Sequence, residues 1–90
     1  MKKIYISGQI SGCPIDKARE KFERAEELIR QMGAEPVNPM KSGLPDFASW
    51  ETHMALDIVL LMGCEGIYLL PDWENSRGST LEKTIAELTG

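Results

Sequence analysis

Short apolar runs rich in β-forming residues alternate along the chain with longer segments whose apolar residues recur at helical spacing. The runs predict β-strands at residues 3–7, 34–38 and 65–70, and the periodic segments predict helices at residues 16–32, 47–62 and 80–88. Gly33 and Gly63 stand where the first two helices should end, and Asp46 is the expected N-cap of the second. The order β-α-β-α-β-α implies a parallel sheet with right-handed crossovers. We therefore expect an α/β protein with a three-layer Rossmann- or flavodoxin-like fold, formed as a single domain over residues 1–90.

The second predicted helix carries more apolar surface than a small sheet can cover. One stripe along it is apolar and three further residues widen that stripe: Phe47, Trp50, Met54, Ile58 and Leu61, then Ala55, Val59 and Met62. We expect this helix to be buried around much of its circumference. Because so short a chain has little core to spare, we predict a homodimer or a larger homo-oligomer. No strand is predicted after the last helix, so either the third strand borders that helix alone, or a strand has been lost or is replaced by a partner chain.

Charge and composition narrow the possible ligands. The chain has 10 basic and 14 acidic side chains and a net charge of −4, so a surface for duplex DNA or another nucleic acid polymer is not expected. A small anionic ligand still fits, because a few amides and hydroxyls can hold one phosphate. Cys13 and Cys64 are isolated and His53 is the single histidine, so we expect no metal site, no disulfide and no cofactor. The first residues lack the apolar length of a signal peptide and no run approaches a membrane span, so we expect a cytoplasmic protein without a membrane partner.

The polar segment after the third predicted strand is the first candidate site. It runs from Ser76 through Gly78 to Glu82 and places Glu82 in the first turn of the last helix. That turn should lie at the carboxyl end of a strand, where open α/β sheets hold ligands. Helix-start amides attract anions, and Ser76 and Ser79 add hydroxyls, so a phosphate and a carboxylate nucleophile could share this site. The alternative is that Ser79 and Glu82 form a capping box and nothing more.

The loop after the first predicted strand is the second candidate. Its small and polar residues, Gly8, Gln9, Ser11 and Gly12, have the composition of a backbone-lined ligand loop. A plain surface turn has much the same composition, so the loop alone does not decide between the two.

Four parts of the sequence together carry a family resemblance that covers almost the whole chain. They are Ile4-Tyr5-Ile6-Ser7-Gly8, Asn38-Pro39, the helical residues Trp50, Met54 and Asp57, and the segment from Leu69 through Glu82. In this combination the chain resembles the nucleoside 2-deoxyribosyltransferase superfamily, and especially a small bacterial and phage branch of it. The resemblance implies the same α/β fold and a nucleotide or nucleoside as the small-molecule partner.

The resemblance also implies roles for individual residues. Glu82 matches the nucleophile of the characterised members, Tyr5 matches a tyrosine that donates a hydrogen bond to it, and Asp57 matches an aspartate that contacts the base or the sugar. In this chain we expect Asp57 to bind or protonate the leaving base. Ser76, Gly78 and Glu82 match the Ser-x-Gly-x-x-x-Glu pattern of deoxynucleoside-monophosphate N-glycosidases, in which the serine contacts the 5′-phosphate. Transferases that act on unphosphorylated nucleosides usually carry Asp at the position of Ser76, where a carboxylate would repel a phosphate.

The first loop departs from the pattern of those glycosidases, in which it also contacts the phosphate. Ser11 stands in place of their basic residue, and Gln9 stands in place of their serine. Phosphate affinity is therefore either weak or rests on Arg77.

The resemblance implies cleavage of the N-glycosidic bond of a 2′-deoxynucleoside 5′-monophosphate, or transfer of its deoxyribosyl group, through a covalent intermediate on Glu82. Two other classes stay open. One is a non-catalytic nucleotide-binding or sensing module that keeps the pocket, and the other is an accessory protein that acts through protein contacts. An enzyme or binding module requires Tyr5, Asp57, Ser76 and Glu82 to converge on one cleft at the carboxyl end of the sheet.

Each candidate also has a structural interpretation. Tyr5 can be a strand residue with its hydroxyl at the sheet edge, and Asp57 can be a satisfied structural carboxylate. Trp50 and Trp73 can stack on a base or pack in the core or in a subunit contact. Asn38 is expected to tie the Asn-Pro turn. The two cysteines and the histidine are interpreted as structural or incidental.

Overall fold

The computed structural model describes residues 2–10, 12–41 and 49–89. Strands and helices alternate along this part of the chain: β1 (Lys3–Ser7), α1 (Ile15–Gln31), β2 (Glu35–Val37), α2 (Trp50–Met62), β3 (Gly66–Leu69) and α3 (Arg77–Thr89). The three strands form one parallel sheet in the order β2-β1-β3. This is the strand order with which flavodoxin-like sheets begin. The predicted α/β class and element order are confirmed.

The two faces of β1 contact different helices, and this sets the layers. Ile6 is fully buried in a core cluster with Phe22 of α1. Tyr5 points to the other face and reaches Glu82 of α3. Because successive side chains of a strand point to opposite faces, α1 covers one face of the sheet and α3 covers the other.

The end of α1 follows the predicted pattern. Gly33 has a φ of +81°, the left-handed conformation that a residue just beyond a helix often adopts. The N–H of Ala34 donates to the carbonyl of Ile29 at 3.2 Å, and the N–H of Gly33 donates to that of Arg30 at 3.0 Å. These two bonds satisfy carbonyls that the helix leaves unpaired. Further on, the buried Asn38 accepts the N–H of Met40 at 2.9 Å, as expected for a side chain that ties the Asn-Pro turn.

The second helix begins later than predicted. It starts at Trp50, and the Ser49 hydroxyl accepts the N–H of Thr52 at 3.1 Å as its N-cap. Asp46 and Phe47, the predicted cap and first residue, lie outside the described residues. Serine caps a helix as well as aspartate does. The apolar pattern alone therefore could not place the start of α2.

The expectation that α2 is buried around much of its circumference is wrong within one chain. Met54 and Leu61 are buried, but Val59 is 67% exposed and Met62 is 56% exposed. Ala55 is exposed on the same side of the helix. α2 packs mainly against α3, and its apolar side with Val59 and Met62 faces outward.

The third helix begins earlier than predicted, and this moves Glu82. α3 starts at Arg77, so Glu82 lies in its second turn and not in its first. Ser76 is the N-cap, because its hydroxyl accepts the N–H of Ser79 at 3.1 Å. Ser79 therefore lies inside the helix, and the capping box of Ser79 with Glu82 is not formed. The carboxylate of Glu82 turns to the sheet instead.

Candidate functional site

The Glu82 carboxylate lies against the carboxyl half of β1 and is held at both oxygens. The Tyr5 hydroxyl donates to Oε2 at 2.8 Å and the Ser7 hydroxyl donates to Oε1 at 2.7 Å. Only 4% of Glu82 is exposed. A carboxylate can accept about four hydrogen bonds, so each oxygen of Glu82 can accept one more besides the bond from its hydroxyl. The contact between Tyr5 and Glu82 that the resemblance implies is present.

Ser7 was not among the predicted site residues. It lies two positions after Tyr5, on the same face of β1, and is fully buried. The available signal was this spacing, because side chains at i and i+2 of a strand share a face and the second one lies nearer the ligand end of the sheet. A small hydroxyl inside an apolar strand was a sign that it meets a buried polar partner.

Burial and hydrogen bonding shift the pKa of the Glu82 carboxyl in opposite directions. Burial raises the pKa of the Glu82 carboxyl, and the bonds from Ser7 and Tyr5 offset only part of that rise. Burial, followed by the negative charges of Glu82 and Asp57, raises the pKa of the Tyr5 phenol far above its ordinary value. Tyr5 is therefore a neutral donor throughout the physiological range, and it cannot act as a base for Glu82.

A second carboxyl, that of Asp57, shares this environment from α2. Asp57 is half-buried, and burial followed by the charge of Glu82 raises its pKa from 3.8 to about 7. Two carboxyls in one partly dehydrated space do not ionise independently, and the more exposed of them is protonated in a substantial fraction of molecules near neutrality. In such a pair the negative charge of one carboxyl favours the protonated form of the other, an arrangement that can serve a nucleophile and an acid.

The start of α3 supplies hydroxyls and amides next to Glu82 in the chain. The Ser76 hydroxyl caps the helix, and Gly78 lies so close to α2 that a Cβ there would stand 2.9 Å from the sulfur of Met54. Ser79 is buried, and its hydroxyl is without a hydrogen-bond partner in the described part of the chain. Buried hydroxyls are rarely left unpaired, so this one points to a bound water or to a polar ligand atom.

The loop after β1 is held by close packing and by the segment after β3. A Cβ on Gly8 would lie 2.4 Å from Cδ1 and 2.9 Å from Cβ of Leu70, so glycine is required there by the approach of the two chains. The N–H of Gln9 donates to Asp72 at 3.1 Å. Gly12 has a φ of +84°, and Ser11 lies outside the described residues. The structure thus gives Gly8 and Gln9 structural roles, and ligand contacts by this loop stay a prediction.

Lys21, on the polar face of α1, has partners outside that helix. Its half-buried ammonium forms an ion pair with Asp72 and lies 3.8 Å from the sulfur of Cys13. Burial acts to raise the pKa of Asp72, but Lys21 and the Gln9 N–H outweigh it and hold that pKa below its usual range. Helical spacing could not reveal this pair, because its two members lie 51 positions apart in the sequence.

Both tryptophans lie beneath cations of α3. The guanidinium of Arg77 stands 3.8 Å from the centroid of the Trp50 ring, and the ammonium of Lys83 stands 5.5 Å from that of Trp73. These are cation–π arrangements: the first joins the starts of α2 and α3, and the second joins α3 to the segment that precedes it. Base stacking by either ring stays a prediction.

The fold and this site define a small α/β domain that carries a buried, hydrogen-bonded glutamate at its parallel sheet. The chain belongs to the family described as a domain of unknown function, DUF4406, which matches residues 2–90. No curated protein matches the sequence significantly. None of the helices in residues 2–10, 12–41 and 49–89 is long and apolar enough to cross a membrane.

Proposed function

We propose that this protein cleaves the N-glycosidic bond of a 2′-deoxynucleoside 5′-monophosphate with Glu82 as the nucleophile, the chemistry of the nucleoside 2-deoxyribosyltransferase superfamily that its sequence resembles. The observation that carries the proposal is the Glu82 carboxylate, which is buried and accepts one hydrogen bond at each oxygen from Tyr5 and Ser7. Such a carboxylate is fixed in orientation and stripped of most of its water. Fixed orientation and partial dehydration are what an oxygen nucleophile needs.

In the first step an oxygen of Glu82 forms a bond to the anomeric carbon of the deoxyribose. The bond from that carbon to the base nitrogen breaks, and its electron pair leaves with the base. The transition state has oxocarbenium character, which the adjacent negative charge of the carboxylate stabilises. Water then attacks the same carbon in the second step and restores Glu82, so the sugar keeps its anomeric configuration. A second base in place of water would give transfer.

Asp57 supplies the proton that the departing base takes up. Its pKa of about 7 lies near the operating pH, where a general acid is most effective. In the second step the same group, now ionised, accepts a proton from the attacking water. The charge of Glu82 raises the pKa of Asp57, so the nucleophile itself helps to keep the acid protonated.

The 5′-phosphate is assigned to the start of α3. The first N–H groups of a helix have no partner within the helix and favour an anion. The Ser76 hydroxyl and the unpaired hydroxyl of Ser79 are additional donors at this end. Neither adds a negative charge that would repel the phosphate.

A non-catalytic nucleotide-binding or sensing module is the second candidate, and one observation favours it. Both oxygens of Glu82 are already engaged by hydroxyls of the protein, as they would be in a carboxylate that only joins α3 to β1. Binding without base release is the property that separates this candidate from the first.

The test is incubation with the four common deoxynucleoside 5′-monophosphates, with free base measured by chromatography and binding measured by calorimetry. Glu82→Gln keeps the size of the side chain and its capacity to hydrogen-bond with Tyr5 and Ser7. The matched control is Glu87→Gln, an exposed glutamate of the same helix that is paired with Lys83. We expect base release by the parent protein and by Glu87→Gln, and none by Glu82→Gln.

Base release that survives in Glu82→Gln would contradict the nucleophile assignment. Tight binding of a monophosphate with no base released by the parent protein would favour the sensing module.

A further inference from the structure

The two edges of the sheet differ in how they are protected. β2 forms one edge and β3 forms the other, so each has an outer row of backbone groups that no strand of the described chain pairs. Open edges of this kind invite strand pairing with another chain, and proteins usually block them with proline, charge or short length. The comparison between the two edges therefore indicates which of them is built to be left open.

The β2 edge is blocked. The N–H of Glu35 donates inward to the carbonyl of Lys2 at 2.8 Å. Since backbone groups alternate in direction along a strand, the next nitrogen, that of Pro36, points outward and has no hydrogen to donate. The strand is only three residues long and begins with a charged side chain. No pairing partner could obtain a regular ladder there.

The β3 edge lacks the proline and the charged residue of the β2 edge. The N–H of Leu70 donates inward to the carbonyl of Ser7 at 2.8 Å, and backbone groups alternate in direction along a strand, so the amide and carbonyl groups of Ile67 and Leu69 point outward. The sequence of β3, Gly66–Leu69, contains neither proline nor a charged residue. Its outer edge therefore offers two complete residues of backbone pairing to an incoming strand.

An apolar groove of about 740 Å³ runs along this open edge. Its floor and walls come from the end of α2, from β3 and from one side of α3, and the apolar lining residues are Leu61, Met62, Ile67, Leu69 and Ala86. Charged residues of both signs, Glu65, Lys83 and Glu87, complete the lining. α3 lines one side of the groove with Lys83, Ala86, Glu87 and Thr89, while its Glu82 reaches inward to β1.

We propose that this edge is the interface with a second copy of the chain, in which the two β3 strands pair antiparallel and join the two sheets into one. When two copies are related by a two-fold axis, the same strand edge of each copy can pair with the other. Each outward N–H of one copy then meets an outward carbonyl of its partner. The groove contains one cation, Lys83, and two anions, Glu65 and Glu87. A second copy therefore brings charges of opposite sign to the groove as well as charges of the same sign. Met62, 56% exposed, belongs both to the groove and to the uncovered side of α2, so the pairing buries apolar surface that the single chain leaves open.

This interface does not depend on the proposed reaction, and its first test is the mass of the protein in solution. The chain has a mass of 10.1 kDa, and light scattering should show twice that value at micromolar to submillimolar concentration. Met62→Lys should raise the dissociation constant about tenfold or more, because the interface would bury an unpaired charge. The matched control is Met32→Lys, a methionine at the end of α1 that is 65% exposed and lies outside the groove, and it should leave the dissociation constant unchanged.

Hydrogen exchange separates strand pairing from any other mode of association. The amides of Ile67 and Leu69 should exchange more than about tenfold more slowly in the dimer, and this protection should disappear on dilution or in Met62→Lys. A protein that stays monomeric would overturn the proposal. So would a dimer in which these two amides exchange freely, or a dimer that Met62→Lys and Met32→Lys weaken equally.

Discussion

At the scale of single residues, the Glu82 carboxylate exchanges its water shell for two hydroxyl donors. A hydrogen bond to a charged group contributes about 1.5–3 kcal/mol, which is less than the cost of removing a carboxylate from water. This imbalance is why the pKa of Glu82 stays raised in spite of Tyr5 and Ser7. A glutamate held in this state is a stronger nucleophile than one in water, and it makes the folded protein less stable at high pH.

Ser7→Ala tests whether the serine positions the nucleophile. The change removes the bond to Oε1 and leaves one oxygen of a buried carboxylate without its donor, so we expect a loss of about 1–3 kcal/mol in the free energy of unfolding. We also expect the pKa of Glu82 to rise further, which moves the acidic limb of the pH profile of base release to higher pH. Ser7→Thr keeps the hydroxyl and should restore that limb. A variant that loses stability with an unchanged pH profile would show that Ser7 is only structural.

The raised pKa of Asp57 predicts a particular dependence of stability on pH. In the folded protein the group holds a proton up to about pH 7, whereas its ordinary pKa is 3.8. The folded state therefore binds more protons than the unfolded state between these values, and the free energy of unfolding falls as the pH rises through this window. The loss should be on the order of 1 kcal/mol, because Asp57 keeps part of its contact with water. Urea titrations at a series of pH values measure it.

Asp57→Asn is the control for that dependence. Asparagine carries no titrating proton, so the variant should have a flatter profile and should gain stability relative to the parent protein at pH 8. Base release should be slower in the variant, because the proton donor is absent. Its rate should also no longer decline as the pH rises through about 7. An unchanged slope in Asp57→Asn would assign the pH dependence to another group.

At the scale of elements, the start of α3 combines a helix cap with the assigned phosphate site, and Ser76→Asp separates the two. Aspartate caps helices as well as serine does, so the free energy of unfolding should change by less than about 0.5 kcal/mol. Its negative charge should weaken binding of a 5′-monophosphate by about tenfold or more, while binding of the corresponding nucleoside should change little. Calorimetry with the two ligands measures the difference. Equal effects on both ligands would place the phosphate elsewhere.

The elements differ in how far the sequence could predict them. The end of α1 was predictable because Gly33 satisfies a local rule that needs no tertiary partner. The starts of α2 and α3 could not be predicted, because other residues a few positions away could cap these helices as well as Ser49 and Ser76 do. The bond from Tyr5 to Glu82 was implied by the resemblance. Ser7 and Lys21 were missed because their partners, Glu82 and Asp72, lie far away in the sequence.

At the scale of the whole molecule, the candidate site and the open edge lie on different parts of one small sheet. Glu82 faces β1, the central strand, where neighbouring elements bury it on all sides. Two of the exposed apolar residues, Val59 and Met62, lie on the outer side of α2. A single domain of this size can thus keep a dehydrated site and still leave one surface for association. The sequence pattern indicated the excess of apolar surface, but only the strand order shows which edge is open.

The central claim is that Glu82 forms a covalent bond to the sugar, and trapping that species tests it most directly. A monophosphate whose sugar carries fluorine at the 2′-position on the arabino face slows the second step, because fluorine destabilises the oxocarbenium-like transition state. After an acid quench and proteolysis, mass spectrometry should find the sugar phosphate on the peptide that contains Glu82, and should find none in Glu82→Gln. Base release with the sugar phosphate on another residue, or with no covalent species at any time, would contradict the account.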